Sequence, residues 1–99
     1  MNQIKRIEEM EERLNVATKS IKSLEKALKE YNKAQDDIRE LAAYYASDEW
    51  KKDFEADEKG MLPNDLKRDV LSEDGIYNML DKNIEVQRKM CRTIERGIK

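Results

Sequence analysis

The groups able to do chemistry in this 99-residue sequence are carboxylates, one thiol and a few basic clusters; histidine is absent. That absence removes the commonest general base near neutral pH and the commonest metal ligand together. Asp53, Glu55 and Asp57 alternate like the first ligands of an EF-hand loop. The loop's required Gly and bidentate Glu fall in that register on Glu58 and Asn64, so the three acids read as a solvated helix face. An all-carboxylate Mg²⁺ or Mn²⁺ site, with Glu73 and Asp74 meeting Asp53, is the next candidate, although helix capping accounts for the first two equally well. The paired-metal sites of ferritin-like bundles need Glu-x-x-His, which this sequence cannot complete.

Cys91 lies between Arg88 and Arg92, a positive setting that favours a thiolate, but it has no His partner and no second Cys. A buried, inert cysteine is expected. Lys67 and Arg68, followed by Ser72, have the makings of a phosphate cradle. Asp65, Asp69, Glu73 and Asp74 stand close in sequence and would repel an anion, so the basic pair reads as structural or partner-facing. Tyr44, Tyr45, Trp50, Phe54 and Tyr77 are able to form a stacking platform for bases. Their expected role is instead to pack the junction where a short helix folds onto a long one.

The elements that must position these groups are helical. Charged residues make up 42% of the chain and apolar residues 38%, with three Gly and one Pro, which excludes β-sandwich and collagen-like designs. From Ile4 to Tyr45 there is no Gly or Pro, and apolar residues return every three or four positions. With Ile7 as heptad position a, the a series is Ile7, Leu14, Ile21, Leu28, Gln35 and Ala42. The d series is Met10, Ala17, Leu24, Tyr31, Ile38 and Tyr45, so eleven of the twelve positions are apolar. This predicts a long coiled-coil-like helix over residues 1–46, on the order of 60 Å if straight. A bend is the fallback in the weakest stretch, Asn15 to Ser23.

Ser47 reads as an N-cap, with Asp48 and Glu49 in the first turn and Trp50 and Phe54 one turn apart. Gly60 reads as the stop of this short acidic helix, and Leu62-Pro63 as an ordered connector. One further turn over Asp65 to Leu71 would point Leu66 and Val70 inward. Residues 47–71 therefore form a short acidic helix and connector, and residues 72–99 a C-terminal helix capped at Ser72. The last element's stripe is Ile76, Met79, Leu80, Asn83, Ile84, Val86, Met90, Cys91, Ile94 and Ile98. The fold class is all-α, a single helical domain in which the C-terminal helix returns antiparallel, as a hairpin or bundle, over Leu24 to Tyr45 of the first.

The chain resembles a family of small, mostly helical bacterial proteins grouped as a domain of unknown function. The likeness rests on Tyr44-Tyr45-x-Ser47-x-x-Trp50-x-x-Asp53, on Gly60-x-Leu62-Pro63-x-Asp65-Leu66-Lys67-Arg68, and on Val70-Leu71-Ser72-Glu73-Asp74-Gly75-Ile76-Tyr77. It spans roughly Ile7 to Met90. The family pattern places a glycine after the Lys-Arg pair, where this sequence has Asp69. The resemblance implies a helical fold and a bacterial origin, and it implies no activity.

The functional expectation is a non-catalytic, oligomeric helical adaptor without cofactor. The stripe Ile4, Ile7, Met10, Leu14 and Ile21 has no cover in one chain, which predicts a homodimer or higher oligomer. The expected surface for an unknown protein partner is Tyr44, Trp50, Asp53, Lys67 and Arg68, aromatic anchors among charges. A small Mg²⁺- or Mn²⁺-dependent enzyme with a carboxylate site at a subunit interface is the alternative. Nucleic-acid binding through the basic end is the weaker third, because 20 basic residues against 22 acidic ones supply no global attraction for nucleic acid. No apolar run is long enough to span a membrane. The charged opening Asn2 to Arg6 and the single Cys predict a cytoplasmic setting.

Overall fold

A computed structural model describes residues 2–97. Ile98, assigned above to the C-terminal stripe, and Lys99 lie outside the described residues. The architecture is all-α: α1 (Asn2–Tyr45), α2 (Asp48–Glu58), a 3₁₀ turn (Asp69–Leu71) and α3 (Gly75–Gly97), with no strand among the described residues. A long N-terminal helix, a short middle one and a C-terminal one follow each other as the periodicity predicts. α1 runs unbroken through Asn15 to Ser23. Isolated Thr and Ser residues lower helix propensity only slightly, and no Gly or Pro is there to kink the chain.

The described residues group into two compact units, one up to Asp36 and one from Asp37 onward. The first contains only α1, up to Asp36. Its heptad stripe lies open: Ile4 is 63% exposed, Ile21 68%, and Ile7, Met10 and Leu14 are exposed with them. The length of the third element predicts cover on α1 from Leu24, yet Leu24 and Leu28 are exposed and half-burial begins at Tyr31. α3 is likewise half-buried only as far as Met90 and exposed from Cys91 to Gly97.

The second unit holds the last turns of α1, with Ile38, Leu41, Ala42 and Tyr45 half-buried, and then α2, the 3₁₀ turn and α3. Its core is small. Leu71, at 5% exposure, and Ile76, at 3%, are its buried apolar residues, and the 3₁₀ turn carrying Leu71 lies close to both α2 and α3. Leu66 and Val70, expected to point inward, are exposed instead. The expected α-helical turn over Asp65 to Leu71 is a three-residue 3₁₀ turn at its end, and the tighter rotation of 3₁₀ geometry turns Leu71 inward in place of Val70. Cys91, expected to be buried, is exposed because it lies beyond the half-buried part of the α3 stripe.

Local chemistry fixes the ends of α2. The Ser47 hydroxyl donates to the Tyr44 carbonyl at 2.5 Å and accepts from the Trp50 N–H at 3.3 Å, ending α1 and capping α2 with one side chain. At the other end Gly60 N–H reaches Asp57 O at 3.0 Å and Met61 N–H reaches Ala56 O at 2.9 Å. This pair of bonds is a Schellman motif, and it requires the left-handed backbone that Gly60 adopts at φ +69°.

Candidate functional site

The junction between α1 and α2 brings together most of the residues predicted as a partner surface. The T-shaped pair Tyr45–Trp50 has ring centroids 5.0 Å apart, and Trp50 stacks on Phe54 at 5.1 Å and 20°. Trp50 and Phe54 share a face because four residues make about one helical turn. The indole N–H of Trp50 reaches out of α2 to the Val70 carbonyl at 2.9 Å. A second tie is Arg68, whose guanidinium meets the Asp57 carboxylate at 2.7 Å with both side chains about two-thirds covered. The connector is therefore fastened to α2 at two points.

Tyr44 donates its hydroxyl to Asp53 at 2.6 Å. Its phenol is pushed up to about 12, first by partial burial, then by the hydrogen bond to the Asp53 carboxylate and by that carboxylate's charge. Tyr44 consequently stays neutral across the physiological range and acts as a hydrogen-bond donor. Of the five predicted residues, Tyr44, Trp50, Asp53 and Arg68 spend polar atoms inside the chain, while Lys67 is exposed.

The turn into α3 follows a different plan from the one expected. Ser72 does not begin the helix, which starts three residues later at Gly75. Its hydroxyl donates to the Asp69 carbonyl at 2.8 Å and accepts from Gly75 N–H at 3.0 Å, closing the turn that leads into α3. A Cβ on Gly75 would lie 2.6 Å from both Asp69 O and Ser72 Oγ, so the position excludes any side chain. Asp69 has no positive φ, so no left-handed strain arises at the position where the resemblance implies a glycine.

Among the described residues no three His, Cys, Asp or Glu side chains converge as a metal-binding group. Asp53, Glu73 and Asp74, the carboxylates considered for Mg²⁺, therefore do not form such a group within one chain. On α3, Glu85 meets Lys89 at 3.2 Å and Lys82 at 3.4 Å, and these hydrogen bonds, Lys89's first, hold its carboxyl below the usual range. These side chains are solvent-exposed, and the arrangement is a surface cluster. No helix among the described residues is long and apolar enough to cross a membrane.

Three contributors escaped the sequence reading: Asp57 as the partner of Arg68, the Val70 carbonyl and Leu71. The acidic series Asp53, Glu55, Asp57 was the available signal for the first, since one member of a carboxylate run near a fixed Arg is a natural pair. A backbone carbonyl carries no side-chain signal.

The profile of a domain of unknown function, DUF4298, matches residues 7–93. The chain belongs to the DUF4298 family. The matched span covers the junction, the 3₁₀ turn and all but the last few residues of α3, together with the exposed stripe from Ile7 onward. No curated protein and no solved structure matches this DUF4298 chain.

Proposed function

We propose that this DUF4298 chain is a non-catalytic helical interaction module that self-associates through the N-terminal part of α1 and serves as an adaptor through its junction. The observation that carries the reading is the open stripe Ile4, Ile7, Met10, Leu14 and Ile21, continued by Leu24 and Leu28, on a helix with no other element in its unit. Helices are stabilised in water mainly by packing an apolar face, so this stripe is a surface built to be covered. The junction supplies the second half of the reading. Its aromatic and charged side chains are held by hydrogen bonds and stacking, so a partner docking beside Lys67 would lose little side-chain entropy. A single exposed thiol without a second cysteine suits the reducing bacterial cytoplasm. Light scattering over a concentration series tests the proposal. A mass of at least twice 11.7 kDa is expected, and a strict monomer at every concentration would overturn it.

A further inference from the structure

The open stripe does not treat its two ends alike. Near the N-terminus a shallow apolar hollow formed by Ile7 and Leu14 is rimmed by Glu8, Glu11 and Glu12. Two turns further on, the hollow formed by Ile21, Leu24 and Leu28 is rimmed by Lys22, Lys26 and Lys29, with Glu25 the one acid. We infer that the stripe takes a second copy of itself in antiparallel orientation, with the two-fold axis between Asn15 and Val16. The inference rests on the self-association proposed above and specifies its geometry.

Charge is the first argument. In a parallel, in-register pair each e edge meets the copy's g edge, so the glutamate rim meets no lysine of the opposite rim. In an antiparallel pair e edges face each other, which lays each acidic rim beside a basic one, and such complementarity favours this orientation.

Packing is the second. In antiparallel register a positions face d positions, so Ile7 meets Leu24, Met10 meets Ile21, and at the centre Leu14 meets Ala17 twice. Every layer then holds one large side chain opposite a partner that fits beside it. The parallel arrangement sets Ala17 against Ala17 next to a Leu14 pair, leaving a void in one layer, and protein interiors are close-packed. The overlap runs from Gln3, which faces Leu28, to Leu28, about 39 Å of helix. It uses the exposed run and stops short of Tyr31, where half-burial begins.

One feature favours the parallel form: Arg6 at position g and Glu11 at position e would pair between parallel copies. Those pairs lie on the solvated rim and are weakened by salt, whereas the central layers are desolvated, so the layers decide.

Disulfide trapping in the full chain tests the orientation. With Cys91→Ser as background, one sample carries Ile7→Cys, a second carries Leu24→Cys, and the two are mixed, equilibrated and mildly oxidised. The antiparallel pair predicts a cross-linked dimer in the mixture at least several-fold above that of Ile7→Cys alone, with helicity unchanged by circular dichroism. Efficient self-cross-linking of Ile7→Cys overturns the orientation. No cross-link in either sample, with light scattering still giving a dimer, overturns this use of the stripe while self-association stands; a monomer by scattering removes both. An independent variant, Lys22→Glu with Lys26→Glu, should weaken the antiparallel dimer by about 10-fold or more through facing acids. No weakening would contradict the inference, since a parallel pair sets neither lysine beside the copy's glutamate rim.

Discussion

The indole N–H of Trp50 donates to the carbonyl oxygen of Val70 at 2.9 Å, across twenty residues of chain. This bond joins α2 to the 3₁₀ turn that carries Leu71, one of the two buried apolar residues of the second unit. Trp50→Phe keeps an aromatic ring against Tyr45 and Phe54 but leaves the Val70 carbonyl without its donor. The substitution should cost about 1 kcal/mol. Urea unfolding followed by circular dichroism checks this, since the only tryptophan is the residue removed.

Gly75→Ala offers a test in which two principles predict opposite signs. Helix propensity alone would make the alanine stabilising, by up to about 1 kcal/mol. The added Cβ would stand 2.6 Å from Asp69 O and Ser72 Oγ, so the turn must open and surrender the Gly75 N–H to Ser72 Oγ bond. We expect a net loss of about 1–3 kcal/mol. Thermal unfolding of the two proteins side by side reads the sign directly.

Much of this region is legible from residue types. Ser47 as a cap, Gly60 as a stop and Trp50 with Phe54 on one face each follow from a local rule that the surroundings do not override. Where tertiary geometry chooses among neighbouring residues, sequence alone misleads. Leu66, Val70 and Leu71 are all apolar, and residue type does not reveal that Leu71 alone of the three is buried. Ser72 is a competent cap by type, but its hydroxyl closes a turn with Asp69 before the helix starts. Cys91 lies on the α3 stripe by periodicity, yet half-burial on that stripe ends at Met90.

Tyr44 links the junction to pH. Its folded phenol is raised to about 12 from an ordinary 10.0, so the folded state holds the proton more tightly than the unfolded chain. The stabilisation is therefore complete below about pH 10 and is lost as pH rises towards 12. Absorbance titration of the tyrosinate band should show a late-ionising phenol that Tyr44→Phe removes.

Arg68 and Asp57 form an ion pair at 2.7 Å that is about two-thirds covered, with side-chain exposures of 33% and 27%. Partial solvent screening keeps its coupling modest, about 0.5–1 kcal/mol in a double-mutant cycle of Arg68→Ala and Asp57→Ala. The coupling should shrink as salt is raised from low to molar concentration, as measured by urea unfolding at each ionic strength.

The central claim is that the open face of α1 is an association surface. Sedimentation equilibrium of the native chain beside Leu14→Glu tests it most directly, because Leu14 is 62% exposed and its replacement disturbs no packing within the chain. The native chain should sediment as a dimer or larger species. In Leu14→Glu, burying a carboxylate at the centre of the stripe should weaken association by about 100-fold, equivalent to about 2.7 kcal/mol. A native chain that sediments at 11.7 kDa throughout, or a variant that associates as tightly as the native chain, would contradict the account.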